Sequence, residues 1–144
     1  MEKIKVVVDY SPSPADNEVV SEGIIASNAH IIGERDKEFS IFLKNAAGKV
    51  FGGIKAFMDS ESIYIDTLWV EESLQKKGYG TQLLRAVEQE AIKHRCKYIT
   101  VDTWDFQAEG FYLKNGYVRL GEVKNYWVGH SKITLRKHLG PYTD

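Results

Sequence analysis

The spacing of apolar residues along this chain alternates between strand-like and helix-like periods. β-branched and aromatic residues are enriched in segments of strand length at 4–10, 39–44, 49–58, 63–70, 97–102, 117–123 and 126–136. Apolar residues recur at helical spacing at Tyr79, Leu83, Val87 and Ala91, with Leu84 beside them. Helices are also predicted near 16–25 and at 106–115. The order β-α-β-β-β-α-β-α-β-β predicts a mixed α/β fold.

Local signals indicate where these elements begin and end. The prolines of Ser11-Pro12-Ser13-Pro14 cannot continue a strand ladder, and Asp16 or Asn17 is placed to cap the first helix. Asp105 is predicted to cap the short helix at its N-terminus, and Gly116 to follow its last turn. Lys124-Asn125 is predicted to join the last two strands. The strand–helix–strand unit over 63–102 predicts parallel neighbouring strands.

Length and composition indicate a single globular domain over residues 1–144. The chain is 43% hydrophobic and 27% charged, and no apolar run approaches the ~20 residues of a membrane span. The first residues lack the apolar core of a signal peptide, and Cys96 is the sole cysteine, which favours a cytoplasmic protein. The net charge of −1 gives no support for nucleic-acid binding. No metal site is predicted, and a homodimer is left open.

Charge is divided unevenly between the two parts of the chain. Residues 1–40 carry a net charge of −4 and the remaining residues +3. One interpretation is a solvated acidic surface. The other is that the acidic segment attracts a cationic amine, while an anionic ligand binds the basic part.

The loop between the strand at 63–70 and the helix from Tyr79 is suited to bind phosphate. Gly78 and Gly80 allow a tight turn, Lys76 and Lys77 add positive charge, and the free N–H groups of a helix start favour an anion. Neither the Walker sequence nor the dinucleotide fingerprint is present. From the glycines alone, an ordinary strand-to-helix turn is equally compatible.

Two motifs resemble the GNAT (Gcn5-related) N-acetyltransferase family. Gln75-x-x-Gly78-x-Gly80 resembles the family's acyl-CoA pyrophosphate loop, Gln/Arg-x-x-Gly-x-Gly/Ala. Residues 105–117 resemble its Asn-x-x-Ala-x-x-Φ-Tyr-x-x-x-Gly-Phe/Tyr segment, in which Φ is apolar, with Asp105 in place of Asn. The resemblance covers roughly residues 38 to 138. It implies a single-domain fold with a mixed sheet, flanking helices and two parallel strands that splay apart around the cofactor.

The resemblance also implies acetyl-CoA as co-substrate, transfer of its acetyl group to an amine of a small molecule or peptide, and a set of binding residues. In that set, Val70 N–H is the expected oxyanion donor. The residues expected to contact the cofactor are Leu68, Trp69, Val70, Gln75, Lys76, Lys77, Gly78, Tyr79, Gly80, Thr81, Asp105, Ala108, Phe111 and Tyr112.

Two residues are candidates for catalysis. Tyr112 matches the family tyrosine that donates a proton to the CoA sulfur, although an aromatic residue on an amphipathic helix also suits packing. Asp66 is predicted to share a strand face with Tyr64, Leu68 and Val70, as a base or amine anchor; a hydrogen bond to a neighbouring hydroxyl or lysine is as compatible. Weaker candidates for the acceptor site are Glu22, His30, Asp102, Trp104 and His130.

Two classes of function therefore remain at the level of sequence. The first is an N-acetyltransferase in which the amine attacks the thioester directly. The second is a regulatory or interaction module that binds acyl-CoA without turnover. The presence of both the loop and Tyr112 favours the enzyme.

Overall fold

The computed structural model describes residues 2–33 and 37–142. The chain forms two compact units, residues 1–35 and residues 36–144. The first unit contains helix α1 (Pro14–Ile32). The Ser13 hydroxyl caps this helix by accepting a hydrogen bond from the Asp16 backbone N–H at 3.1 Å.

Two predictions for the first unit are wrong. The described residues 2–10 form no strand, although 4–10 have a strand-like composition. Such composition favours a strand only where a neighbouring strand pairs with it. The cap of α1 is Ser13, and not Asp16 or Asn17, because Pro14 occupies the first helical position, where a missing N–H costs nothing.

The second unit is built on a six-stranded sheet with strand order β1-β2-β3-β4-β6-β5. Its elements are β1 (Lys37–Lys44), β2 (Val50–Met58), β3 (Ser62–Val70), α2 (Tyr79–Lys93), β4 (Tyr98–Trp104), α3 (Glu109–Lys114), β5 (Val118–Trp127) and β6 (His130–His138). Strands β3 and β4 are parallel, as the sequence predicts, and the other neighbouring pairs are antiparallel. The fold is therefore mixed α/β.

One hydrophobic core lies between α2 and the sheet. The predicted apolar face of α2 is confirmed, since Leu83, Leu84, Val87 and Ala91 are all buried. They join a cluster that includes Ile54, Ile63, Ile65, Ile99, Val101, Ile133 and Leu135. Cys96 is buried in the same cluster. Within the described residues, no helix is long and apolar enough to cross a membrane.

A β-bulge at Asp66 changes the pleat of β3. Opposite β2, Ala56 pairs with Ile65 and Lys55 pairs with Thr67, so Asp66 is an extra residue without a partner. A bulge of this kind moves the following side chains to the other face. Leu68 therefore shares the core face with Ile65, and the predicted grouping of Asp66 with Tyr64, Leu68 and Val70 on one face is wrong.

The last part of the chain differs from the prediction at two boundaries. Helix α3 begins at Glu109 after the capping position Ala108, so Asp105 is not its N-cap. The turn between β5 and β6 lies at Val128–Gly129 and not at Lys124-Asn125, because β5 continues through an irregularity between Val123 and Trp127. Gly116 follows α3 with φ +93°, as predicted for the residue after a helix.

Candidate active site

A fork between β3 and β4 forms the main cleft of the second unit. The parallel ladder ends at the pair Ile65–Val101, although β3 continues to Val70 and β4 to Trp104. On the side facing β4, the backbone of β3 beyond Ile65 therefore has no strand partner. A cavity of about 1130 Å³ opens at this point. An extended ligand segment can pair with the free edge as an added strand would.

The loop that follows β3 is tied back to the strand end. A 3₁₀ turn spans Glu72–Leu74, and the Gln75 backbone N–H donates to the Glu72 carbonyl at 3.2 Å. The Gln75 side-chain amide donates to the Val70 carbonyl at 2.8 Å. Lys76 and Gly78 adopt positive φ values of +60° and +87°. Gln75 thus fixes the loop through both its backbone and its side chain.

Helix α2 begins at this loop, and residues of its first turn line the cleft. The Gln82 N–H donates to the Gly78 carbonyl at 3.1 Å, so the preceding N–H groups of Tyr79, Gly80 and Thr81 have no partner of this helical kind. Gly80 and Thr81 line the cavity, as do the cationic residues Lys76 and Lys114. Free amides, the helix dipole and two lysines make this end of the cleft suitable for an anion.

Most of the predicted site residues line the cavity. These are Asp66, Leu68, Trp69, Val70, Gln75, Lys76, Gly78, Gly80, Thr81, Ala108, Phe111 and Tyr112. Among the described residues, Lys77, Tyr79 and Asp105 are predicted site residues that lie outside the lining. The weaker candidates Asp102 and Trp104 also line the cavity.

The sequence predicts that Gly80 leaves room for a phosphate group. In the structure, Gly80 also leaves room for the ring of Phe111. A Cβ at Gly80 would lie 3.2 Å from Phe111 Cζ and 3.4 Å from Phe111 Cε1. The first obstacle to a side chain at Gly80 is therefore an aromatic ring of the neighbouring helix. The small size of Gly80 lets α2 and α3 approach each other beside the loop.

This contact predicts that Gly80→Val weakens acetyl-CoA binding mainly by displacing the Phe111 ring. Overpacking typically costs about 1–3 kcal/mol; if the ligand-bound loop bears this cost, the affinity loss measured by calorimetry is about 5- to 160-fold. Phe111→Leu removes the obstructing ring atoms and should recover part of the loss in the double variant, a non-additive result. Strictly additive losses would instead indicate that the valine meets the ligand phosphates directly.

Tyr112 lies at the floor of the cleft. The residue is buried, and its ring packs edge-on against Phe111 and Tyr117. No hydrogen bond to its hydroxyl forms within residues 37–142. Burial raises the pKa of Tyr112 to about 12, so the hydroxyl stays protonated at neutral pH. A protonated hydroxyl that lines the cavity and lacks a protein acceptor is able to donate to a ligand.

Two carboxylates flank the fork. Asp66 and Asp102, here called the acidic pair, each follow the last residue that pairs β3 with β4. Asp102 is satisfied by the protein: it accepts from the Tyr64 hydroxyl at 2.7 Å and from the Thr134 hydroxyl, and Lys132 Nζ lies 4.0 Å away. Asp66 is exposed and accepts from the Thr67 hydroxyl at 3.2 Å.

Both carboxylates of the acidic pair act on the pKa of the Tyr64 hydroxyl. Burial raises the pKa of Tyr64 first, followed by its hydrogen bond to Asp102 and by the negative charges of Asp102 and Asp66. The tyrosine therefore remains a neutral donor that holds Asp102 in place. Asp66 is left as the member of the acidic pair with the greater access to a ligand.

Asp105 fastens the start of β6 to the end of β4. One carboxylate oxygen bonds His130 Nδ1 at 2.8 Å, and the other accepts from the Ser131 N–H at 2.7 Å. The Ser131 N–H and then His130 lower the pKa of Asp105. Both oxygens are thus engaged by β6, and a contact between Asp105 and a cofactor stays a prediction.

Comparisons with known proteins agree with this geometry. The model of the Acetyltransferase (GNAT) family matches residues 9–117. A blasticidin-S acetyltransferase from Streptomyces morookaense is 32% identical over 93 residues, which cover 64% of this chain and 68% of that protein. The crystal structure of an acetyltransferase from Bacillus cereus ATCC 14579 is 34% identical, covers 94% of this chain and 98% of its own, and has a TM-score of 0.78. The chain belongs to the GNAT acetyltransferase family.

The fold of this GNAT acetyltransferase is also shared by a more distant structure. An acetyltransferase from Agrobacterium tumefaciens is 23% identical and matches with a TM-score of 0.86 over 94% of this chain and 100% of its own. GNAT acetyltransferases use acetyl-CoA as co-substrate and act on amines. The cleft fits that molecule: the helix start suits its phosphates, and the free edge of β3 suits its amide-bearing arm.

The sequence analysis of this GNAT acetyltransferase missed several residues at the cleft. Lys114 supplies a second lysine from α3, and Thr103 and Gln107 line the wall beside Tyr112. The Ala108 N–H donates to the Thr103 hydroxyl at 3.4 Å, and the Trp104 N–H donates to Gln107 Oε1 at 3.3 Å. These bonds hold the segment between β4 and α3. The signal available in the sequence was the short connection between this strand and this helix. Residues in so short a connection must lie close to the strand end, and hence to the cleft.

A buried glutamate connects the two helices that form the site. Glu88 of α2 bonds Arg85 at 2.5 Å and lies 3.2 Å from Lys137 Nζ, and it accepts from the Tyr117 hydroxyl at 3.4 Å.

Arg85 also donates to the Asn115 side chain at 2.9 Å. Asn115 donates to the Phe111 carbonyl at 2.7 Å. This chain of bonds couples the helix that begins at the loop to the helix that carries Tyr112.

Proposed function

We propose that this protein transfers the acetyl group of acetyl-CoA to an amine of a small molecule or peptide, by direct attack of the amine on the thioester. The observation that carries the proposal is the fork between β3 and β4. The start of α2, which is suited to an anion, and the acidic pair both line the same cavity. An anionic co-substrate and a cationic amine can therefore meet at the fork without competing for the same charges.

Two groups of the protein would act on the thioester. Val70 N–H at the end of β3 is the proposed donor to the oxygen that develops charge, and such a donor is worth about 10²–10³-fold in rate. Tyr112 is the proposed acid for the departing sulfur. The carbonyl oxygen gains charge as the amine adds to the thioester carbon, and the sulfur gains charge as the carbon–sulfur bond then breaks, so each group would act where charge develops.

Asp66 is the proposed anchor or base for the amine. An alkyl ammonium has a pKa of about 10.4, so most of it must lose a proton before it can attack at neutral pH. Asp66 is exposed at the fork and has only a neighbouring hydroxyl as its hydrogen-bond partner among residues 37–142. It can accept that proton directly or through a water molecule.

Three expectations concern the whole protein: its domain extent, its oligomeric state and its location in the cell. The family match over 9–117 includes residues of both compact units, which supports one acetyltransferase domain over 1–144. The fully exposed edge strand β5 is compatible with a homodimer, since an edge strand presents unpaired backbone groups. A cytoplasmic location stays a prediction from the sequence.

A thiol-release assay tests the proposal. Acetyl-CoA is incubated with the protein and a panel of alkyl amines, amino acids, short peptides and blasticidin S, and free CoA and acetylated product are followed. We expect at least one amine to give product at a rate that depends on Asp66 and Tyr112. If acetyl-CoA binds by calorimetry but no amine is acetylated, the module that binds acyl-CoA without turnover becomes the better assignment.

A further inference from the structure

A continuous group of aromatic side chains lies beside the fork. Trp104 of β4 contacts Tyr126 and Trp127 of β5, with ring centroids 5.6 Å and 5.3 Å apart. Phe106 extends the group, at 6.4 Å from Trp127 and 4.7 Å from His130. We call these side chains the aromatic platform; its members are Trp104, Phe106, Tyr126, Trp127 and His130.

Three rings of the platform are about half exposed, although burial of such large apolar side chains is favourable. Phe106 is 52% exposed, Tyr126 54% and Trp127 53%. Large aromatic residues clustered on a surface usually mark a place where a ligand or partner binds. Trp104 is the first ring of the platform and also lines the cleft. The platform is therefore continuous with the cavity in which the amine is proposed to react.

The backbone that presents the platform is unusual. Opposite β6, Val123 pairs with Lys132 and Trp127 with His130, so β5 has two extra residues in this interval. Asn125 and Val128 have positive φ values of +52° and +48° on either side of Tyr126 and Trp127. A positive φ is rare for a branched residue such as valine and is tolerated where the surroundings enforce it. Irregularities of this kind beside a cleft often redirect side chains.

The carboxylate beside the platform, Asp102, already faces a lysine of β6. Asp102 lies two residues before Trp104 on the same strand, so both side chains point to the same face of the sheet. Lys132 Nζ lies 4.7 Å from the centre of the Tyr126 ring and 4.0 Å from Asp102, which places a cation between the platform and the carboxylate. A ligand ammonium group is better accommodated at exposed Asp66, with its apolar part directed to the rings.

We propose that the aromatic platform binds a planar ring of the acceptor, so that the protein prefers amines carrying such a ring close to the ammonium group. This inference rests on the proposed function, because it assigns the platform to the acceptor side of the same cavity. Stacking against one aromatic side chain gives an advantage of about 2- to 12-fold over an apolar group of equal size. The platform thereby acts on selectivity and leaves the chemical step unchanged.

The test compares 2-phenylethylamine with 2-cyclohexylethylamine, which share a linker and differ in the planarity of the ring. We expect kcat/KM to be about 2- to 12-fold higher for the planar ring, and Trp127→Leu to reduce this ratio toward one. Phe42→Leu is the matched control, because Phe42 is a similarly exposed aromatic residue, at 52%, on β1 at the other edge of the sheet.

Two results would overturn the inference. One is a ratio near one in the parent protein, and the other is a ratio that survives Trp127→Leu in a variant with unchanged circular dichroism. If neither amine releases CoA, the proposed function fails for these acceptors, and saturation-transfer NMR with 2-phenylethylamine decides the inference separately. Ring protons that receive saturation from the parent but not from Trp127→Leu support the platform, and equal transfer from both proteins contradicts it.

Discussion

Replacing Tyr112 with phenylalanine is expected to lower kcat by about 10²- to 10⁴-fold, the usual contribution of a general acid. The substitution keeps the buried ring and its edge-on contacts with Phe111 and Tyr117. It deletes a hydroxyl that lines the cleft and has no hydrogen-bond partner within residues 37–142. Because only the proton donor is removed, acetyl-CoA affinity should stay nearly unchanged.

The pH dependence of this variant adds a second check. Burial raises the pKa of Tyr112 to about 12, so the hydroxyl remains protonated throughout the neutral range. The loss of kcat should therefore be constant across neutral pH. Tyr98→Phe is a suitable control, because Tyr98 lies outside the cleft and packs against His138. A kcat within about twofold of the parent would assign Tyr112 to packing, since general acid catalysis is worth far more than that.

Replacing Glu88 with alanine is expected to lower the free energy of unfolding by about 1.5–3 kcal/mol, the usual range for hydrogen bonds to a charged group. The Glu88 side chain is only 8% exposed and is bonded to Arg85, while Lys137 Nζ lies 3.2 Å away. Its loss leaves two cations with no carboxylate between them. It also removes the acceptor of the Tyr117 hydroxyl.

Urea denaturation followed by circular dichroism measures this effect. Glu90→Ala is the matched control on the same helix, because the Glu90 side chain is 39% exposed and its partner His94 lies 3.6 Å away. We expect the control to change stability by no more than about 0.5 kcal/mol. A loss below about 1 kcal/mol for Glu88→Ala would show that water replaces the carboxylate, as it does for surface pairs.

The elements of the second unit were largely predictable because their signals are local. The apolar stripe of α2 and the parallel relation of β3 and β4 follow from residue spacing and connection length. Helix α2 also carried a signal that was overlooked. Glu88 follows Leu84 by four residues and precedes Ala91 by three, so helical geometry places it on the buried stripe. A carboxylate at such a position implies cationic partners from elsewhere in the chain.

Other features depend on relations between distant segments and could not be inferred from one segment alone. The bulge at Asp66 exists only in the register between β2 and β3, which the alternation of side chains in β3 does not reveal. The apolar residues 4–10 suggest a strand, but a strand requires a partner. The role of Asp105 likewise depends on β6, which begins at His130, 25 residues later in the sequence.

The extra residue in β3 lies outside the ladder with β2, so the pairing of these two strands depends neither on its identity nor on its presence. Before Asp66, the odd-numbered residues Ile63 and Ile65 face the core; after it, the even-numbered residues Leu68 and Val70 do. Exchanging Asp66 for another amino acid leaves this parity intact. Deleting Asp66 would place Thr67 directly after Ile65, so the ladder with β2 would become regular while Leu68 and Val70 still face the core. Evolution can therefore change or remove the carboxylate at this point of the cleft without any compensating change in β2.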